Sequence, residues 1–157
     1  MPQIRFMALP TDMARAYQRG APDAYGKAPE RQISDGSDLP CRHCLSTVEA
    51  GEAYLVLAHR PFPTLQPYAE TGPIFLHARE CARWPETDTL PPIFLSSPDY
   101  ILRGYGGDDR IIYGTGGVVA TDEIGTRARE LLVQEAVAYV HMRSARNNCY
   151  QVRIERA

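Results

Sequence analysis

Eight of the chain's 13 prolines fall between Pro61 and Pro98. Each fixes φ and removes a backbone donor, so a long helix or an interior sheet strand is not expected across that stretch. Something other than a regular hydrogen-bonded framework has to hold residues 61–98 in place, and they read as a proline-rich irregular segment. The exception is Ile74-Phe75-Leu76, a short apolar run that suits a buried strand and leads toward a helical turn over His77–Trp84.

At 157 residues the chain has the size of one domain with a core of its own. A content of 44% hydrophobic and 23% charged residues excludes a wholly disordered protein. The formal net charge is −2, and the basic residues, all arginines but for Lys27, are scattered from Arg5 to Arg156. No stripe forms, so nucleic acid is not an expected partner. The N-terminus, MPQIRFMALP, lacks the apolar run of a secretion signal, and no window approaches the roughly 18 apolar residues of a membrane span. The chain therefore reads as a cytoplasmic protein without membrane association, its thiols reduced. In that compartment paired cysteines point to metal or redox chemistry before disulfides.

The periodic segments are short. Ile4–Ala8 is extended, and the stretch from Pro10 to Tyr17 carries helix-start signals with Gly20 as its stop. Residues 21–40, rich in Pro, Gly, Asp and Ser, read as a surface loop. Residues 53–58, AYLVLA, suit a buried strand, and strands at 100–103 and 110–113 flank a glycine-rich turn. Ile124, Ala128, Leu131, Leu132 and Ala136 form one apolar stripe of a helix that Thr121 or Asp122 can cap. Alternation over 138–143 and 150–154 predicts a closing hairpin. With Arg143 opposite Cys149, one face carries Ala138, Val140, Met142, Tyr150, Val152 and Ile154. Hairpins without regular strand–helix alternation indicate an α+β single domain, a largely antiparallel sheet of short strands with about two helices.

The strongest chemical signal is Cys41-Arg42-His43-Cys44 with His77-Ala78-Arg79-Glu80-Cys81, a C-x2-C followed at long range by H-x3-C. A two-residue spacer turns both thiolates toward one ion, and His77 and Cys81 share a face if their segment is helical. Cys41, Cys44, His77 and Cys81 are thus a candidate structural zinc site, one that would pin the proline-rich middle of the chain. The competing view makes the cysteines small buried hydrophobes and the histidine a satisfied polar residue. The knuckle lacks the glycine that often relaxes such turns. A redox dithiol at Cys41 and Cys44 is disfavoured because the pair follows a loop, not a strand leading into a helix.

The second face of the closing hairpin carries Tyr139, His141, Arg143, Cys149, Gln151 and Arg153. A thiolate at Cys149 would gain from its arginine neighbours and His141 can act as a base, making His141, Arg143 and Cys149 the candidate catalytic or anion-binding group. An ordinary solvated sheet face has the same pattern. Gly114-Thr115-Gly116-Gly117 fails both the dinucleotide and the P-loop spacings and is better explained as turn chemistry, so no cofactor-binding motif is present. Neither a nucleophile elbow nor HExxH occurs, and an ordinary hydrolase finds no support.

A set of short stretches carries a resemblance. Cys41-Arg42-His43-Cys44-Leu45, the Ala50-Gly51-Glu52 turn, Pro67-Tyr68-Ala69-Glu70 with Gly72-Pro73-Ile74-Phe75, Arg103-Gly104-Tyr105, Tyr139-Val140-His141-Met142-Arg143 and Cys149 near Arg156 belong to it. Together they resemble, over nearly the whole chain, a bacterial family catalogued as domain of unknown function 1203. The resemblance implies a small single-domain protein of about this length. That family has no assigned activity, so the resemblance supplies no catalytic residues.

Overall fold

The computed structural model describes residues 1–157. In chain order the elements are β1 (Ile4–Met7), α1 (Thr11–Gln18), β2 (Glu30–Ile33), β3 (Ala53–His59), β4 (Gly72–His77), β5 (Asp99–Tyr105), β6 (Gly117–Ala120), α2 (Ile124–Leu132), β7 (Tyr139–Ser144) and β8 (Tyr150–Arg156). Short 3-10 turns occupy Pro92–Ser96 and Thr121–Glu123. The fold is α+β, with two helices and antiparallel sheets of order β1-β8-β7-β5-β6 and β2-β3-β4. The backbone divides into two compact units. One comprises Met1–Met7, Thr64–Ala69 and Glu86–Ala157, and the other Ala8–Pro63 and Glu70–Pro85. No helix is long and apolar enough to cross a membrane.

In the unit of Ala8–Pro63 and Glu70–Pro85, β3 and β4 pair Leu55 with Leu76 and Leu57 with Ile74. Strand alternation sends these four side chains to one face, where they join Leu9, Ala14, Cys41 and Val48 in a buried cluster. Each large apolar side chain buried there contributes about 1.5–3 kcal/mol. Helix α1 follows Pro10 and ends, as expected, at Gly20, whose φ of +91° favours glycine. The expected surface loop over 21–40 contains β2, an edge strand. Its four residues are all exposed and show no alternation, so its pairing with the open edge of β3 leaves no periodic trace.

In the other unit, Leu102, Met142 and Val152 lie side by side on β5, β7 and β8, and Gly104, Val140 and Ile154 form the next row. Helix α2 buries Ile124, Ala128, Leu131 and Leu132. It ends before Ala136, because the Arg156 guanidinium caps the carbonyls of Leu132, Gln134 and Val137 at 2.7–2.9 Å. Thr121 does not cap it, since its hydroxyl donates to Ser97 O at 2.6 Å. A Cβ on Gly104 would lie 3.1 Å from both Thr115 Oγ1 and Val137 Cγ1, so glycine admits this close approach.

Two expected elements differ. Residues 110–113 make only one bridge, Tyr105 to Ile111. The Gly104 N–H donates instead to Thr115 Oγ1 at 2.9 Å, and the strand that pairs with β5 on the side away from β7 is β6, starting at Gly117 opposite Leu102. In the closing hairpin a bulge between Met142 and Arg143 sets Arg143 opposite Tyr150, not Cys149. Beyond a bulge of one residue the pleat inverts, so Tyr150 joins the His141 face and leaves the apolar row.

His59 continues the buried row of Leu55 and Leu57, is 2% exposed, and shares a 3.2 Å hydrogen bond with the Tyr17 hydroxyl. Burial, reinforced by the Arg42 charge, pulls its pKa down from 6.5 to about 4. The unfolded chain therefore binds the extra proton first, and stability is lost as pH falls from about 6.5 to about 4, by an amount on the order of 3 kcal/mol. A ring titration by NMR is expected to show a midpoint near 4 for His59. A midpoint near 6.5 contradicts this assignment. Leu102, fully buried at the sheet centre, is expected to cost about 2–5 kcal/mol when changed to Ala, measured by urea unfolding.

Candidate metal centre

The first half of the site is a knuckle. Cys41 O accepts from Leu45 N at 2.9 Å, Cys41 N donates to Ser46 O at 3.0 Å, and Pro40 bridges Thr47. Leu45 stands where glycine would relax the turn, and its φ is +50°. The left-handed conformation costs about 1 kcal/mol, which burial of the Leu45 side chain offsets. Arg42 N donates to Phe75 O at 3.0 Å, tying the knuckle to β4 two residues before His77.

The second half is not helical. His77 ends β4 opposite Tyr54, Ala78 N donates to Ala53 O at 3.1 Å, and the chain then bends away. Two of the carbonyls that a helix over 77–84 would pair internally, those of His77 and Arg79, are taken by an α1 side chain, and α1 holds the Cys81 carbonyl as well. Gln18 Nε2 donates to His77 O and Arg79 O at 3.0 and 2.9 Å, and Arg15 to Cys81 O at 2.8 Å. His77 and Cys81 thus converge through a strand end and a clamped bend rather than through one helix face.

The ligand atoms of Cys41, Cys44, His77 and Cys81 all lie within 4.8 Å of one another. Two thiolates at about 2.3 Å from a tetrahedral zinc stand about 3.8 Å apart, and a thiolate and an imidazole nitrogen about 3.5 Å. Cys41 Sγ and Cys81 Sγ are 3.9 Å apart, and Cys44 Sγ and His77 Nδ1 3.4 Å. Two opposite edges of the tetrahedron therefore already have coordination dimensions, and the donor set fits a soft or borderline ion. Cys41 is fully buried, His77 is buried, and Cys44 and Cys81 are half-buried.

The electrostatics of the cluster are those of three thiols sharing one partly buried site. Hydrogen bonds from Cys44 and Cys81 hold the Cys41 thiol far below its ordinary range, against desolvation. Those same contacts push the Cys44 and Cys81 thiols up, because a second or third thiolate beside the first is repelled and desolvated. His77 is raised, chiefly by its hydrogen bond with Cys41. One residue inside the knuckle acquires a contact that its spacing did not announce. His43, fully buried, places Nδ1 3.2 Å from Cys81 Sγ and Nε2 2.9 Å from Thr11 Oγ1.

The hairpin residues lie in the other unit. His141 is buried among the rings of Tyr105, Tyr139 and Tyr150, at centroid distances of 4.9–5.0 Å. Tyr139 donates to Asp109 Oδ1 at 2.7 Å, the Arg153 guanidinium stacks 3.7 Å over its ring, and burial with Asp109 pushes its pKa up. Arg143, also buried, donates to Asn148 O at 3.0 Å. Cys149, half-buried, contacts Asn147 O through Sγ at 3.7 Å. The expected solvated face is an aromatic and guanidinium layer, and the bulge seats Tyr150 where the thiol was expected.

Comparison with curated proteins and with solved structures found no match. A family model described as "Protein of unknown function (DUF1203)" matches residues 38–156, nearly the whole chain and all four residues of the cluster. The knuckle, the β4 strand and the C-terminal hairpin that carried the resemblance all lie within that match, and the chain belongs to the DUF1203 family of proteins of unknown function.

Proposed function

We propose that Cys41, Cys44, His77 and Cys81 hold one zinc ion in a closed structural site, in a protein of a reducing compartment such as the cytoplasm. The observation that carries this reading is the convergence of four ligand atoms within 4.8 Å. Three sulfurs and an imidazole match the ligand preference of zinc, and four protein ligands complete a tetrahedron with no position left for a substrate or an activated water. Bound zinc removes the repulsion that keeps Cys44 and Cys81 protonated in the metal-free cluster. Four free cysteines, with three serving as ligands, suit a compartment that keeps thiols reduced.

The alternative, anion binding or catalysis through His141, Arg143 and Cys149, draws less support. The register pairs Arg143 with Tyr150, and His141 packs among tyrosines.

Protein purified without a His tag is expected to contain about one zinc per chain by elemental analysis. Less than about 0.2 zinc per chain, with all four thiols freely titratable in the native state, would overturn the proposal. At free zinc a thousandfold above the dissociation constant, the metal is expected to add about 4 kcal/mol of stability that a chelator removes. Cys41→Ser is expected to abolish stoichiometric zinc. Cys149→Ser is expected to keep it, with unfolding free energy within about 0.5 kcal/mol of the parent.

A further inference from the structure

We propose that His43 is a positioning residue for this centre: its Nδ1–H donates to the Cys81 thiolate, while the Thr11 hydroxyl donates to Nε2. The proposal rests on the zinc reading and adds to it a pair of residues outside the ligand set.

Of the four ligands, Cys81 has the weakest local support. Cys41 and Cys44 sit in the knuckle turn and His77 ends a strand, whereas Cys81 lies in a stretch with no regular structure. Its backbone is held by Arg15, which donates to Cys81 O at 2.8 Å, and the chain just beyond it by Trp84 N, which donates to His43 O at 2.9 Å. Those bonds place the chain but leave the sulfur free to rotate about χ1. The His43 ring reaches the sulfur itself, at 3.2 Å.

The direction of the two bonds follows from the donor inventory. A thiolate can only accept, so the proton of a neutral imidazole facing Cys81 belongs on Nδ1. Nε2 is then an acceptor, and its partner at 2.9 Å, Thr11 Oγ1, can donate. Thr11 begins α1, the helix whose Arg15 and Gln18 clamp the 77–81 bend, so one helix orients both the backbone and the outer hydrogen bond of this half of the site. His43 is itself fully buried between Cys41 and Cys44, so its ring cannot swing into water.

The chemical consequence concerns charge. Three thiolates and a zinc dication leave one net negative charge in a site closed to solvent on the Cys41 side. A donor aimed at one sulfur spreads that charge and lowers the nucleophilicity of that sulfur. Outer hydrogen bonds of this kind typically change metal affinity by about 10–100-fold.

The test uses the full chain with zinc or cobalt(II) as the probe and a chromophoric chelator as competitor. His43→Phe is expected to bind one equivalent of zinc about 10–100-fold more weakly than the parent. Its cobalt ligand-field bands are expected to stay tetrahedral while the sulfur-to-cobalt charge-transfer band shifts, and iodoacetamide is expected to alkylate Cys81 of the zinc form faster. His43→Asn, whose amide can place a donor near the position of Nδ1, is expected to restore most of the affinity and the band position. Thr11→Val gives a second route should His43→Phe fold poorly, with a smaller loss of affinity and the same direction of band shift. Unchanged affinity and charge-transfer energy in both His43→Phe and Thr11→Val overturn the proposal while leaving the zinc site standing. Changed ligand-field bands in His43→Phe, matched by unchanged bands in His77→Ala, also overturn it, because His43 is then the ligand. Parent protein that takes up neither metal fails the zinc reading itself.

Discussion

The backbone bond from Arg42 N to Phe75 O joins the two halves of the candidate centre, and most of the geometry around the centre depends on it. It fixes the knuckle against β4, so that Cys41 joins the buried cluster that includes Leu55, Ile74 and Leu76 while His77 ends the strand. The arrangement is inexpensive because it uses groups that would otherwise need partners, the N–H of a turn residue and a carbonyl on the outer edge of β4. It also places a polar cluster at the margin of a small apolar core. A three-stranded sheet with one two-turn helix buries little surface, and a metal at the candidate centre would cross-link its loops where prolines deny them regular structure.

Helix α1 is short for a stable helix on its own account and draws its order from what it touches. Ala14 lies in the core cluster, and the polar residues Thr11, Arg15 and Gln18 all hold the far side of the candidate centre. The same helix thus closes the core and satisfies the carbonyls of the 77–81 bend. Without it, those carbonyls would face either solvent or an unpaired burial costing about 1–3 kcal/mol each.

Secondary structure was legible where periodicity and packing agree. Leu55 and Leu57 on β3, the α2 stripe from Ile124 to Leu132, and Val140, Met142, Val152 and Ile154 on the hairpin all face where their spacing puts them. Strands β2 and β6 were not legible, since their residues are largely exposed and they exist because a neighbour offers an open edge. The helical turn over His77–Trp84 was misread because its local pattern is compatible with helix while side chains from α1, distant in sequence, hold its carbonyls. The hairpin register was misread because a slip of two residues leaves alternation unchanged: Met142 already faces Val152 where the expected register puts Tyr150, and the bulge that follows moves Tyr150 to the face expected to carry Cys149.

The sequence by itself determined the α+β class, the short elements and the identity of the four ligand-type residues, because alternation, helical stripes and a two-residue cysteine spacer are local properties. Tertiary structure alone decided that those four atoms lie within reach of one centre, that His43 and Thr11 stand beside it, that His141 lies among tyrosines, and that Arg143 faces Tyr150 instead of Cys149. These outcomes depend on which unpaired backbone and side-chain groups meet across long stretches of chain. That choice is made by the packing of whole elements, and no local pattern encodes it.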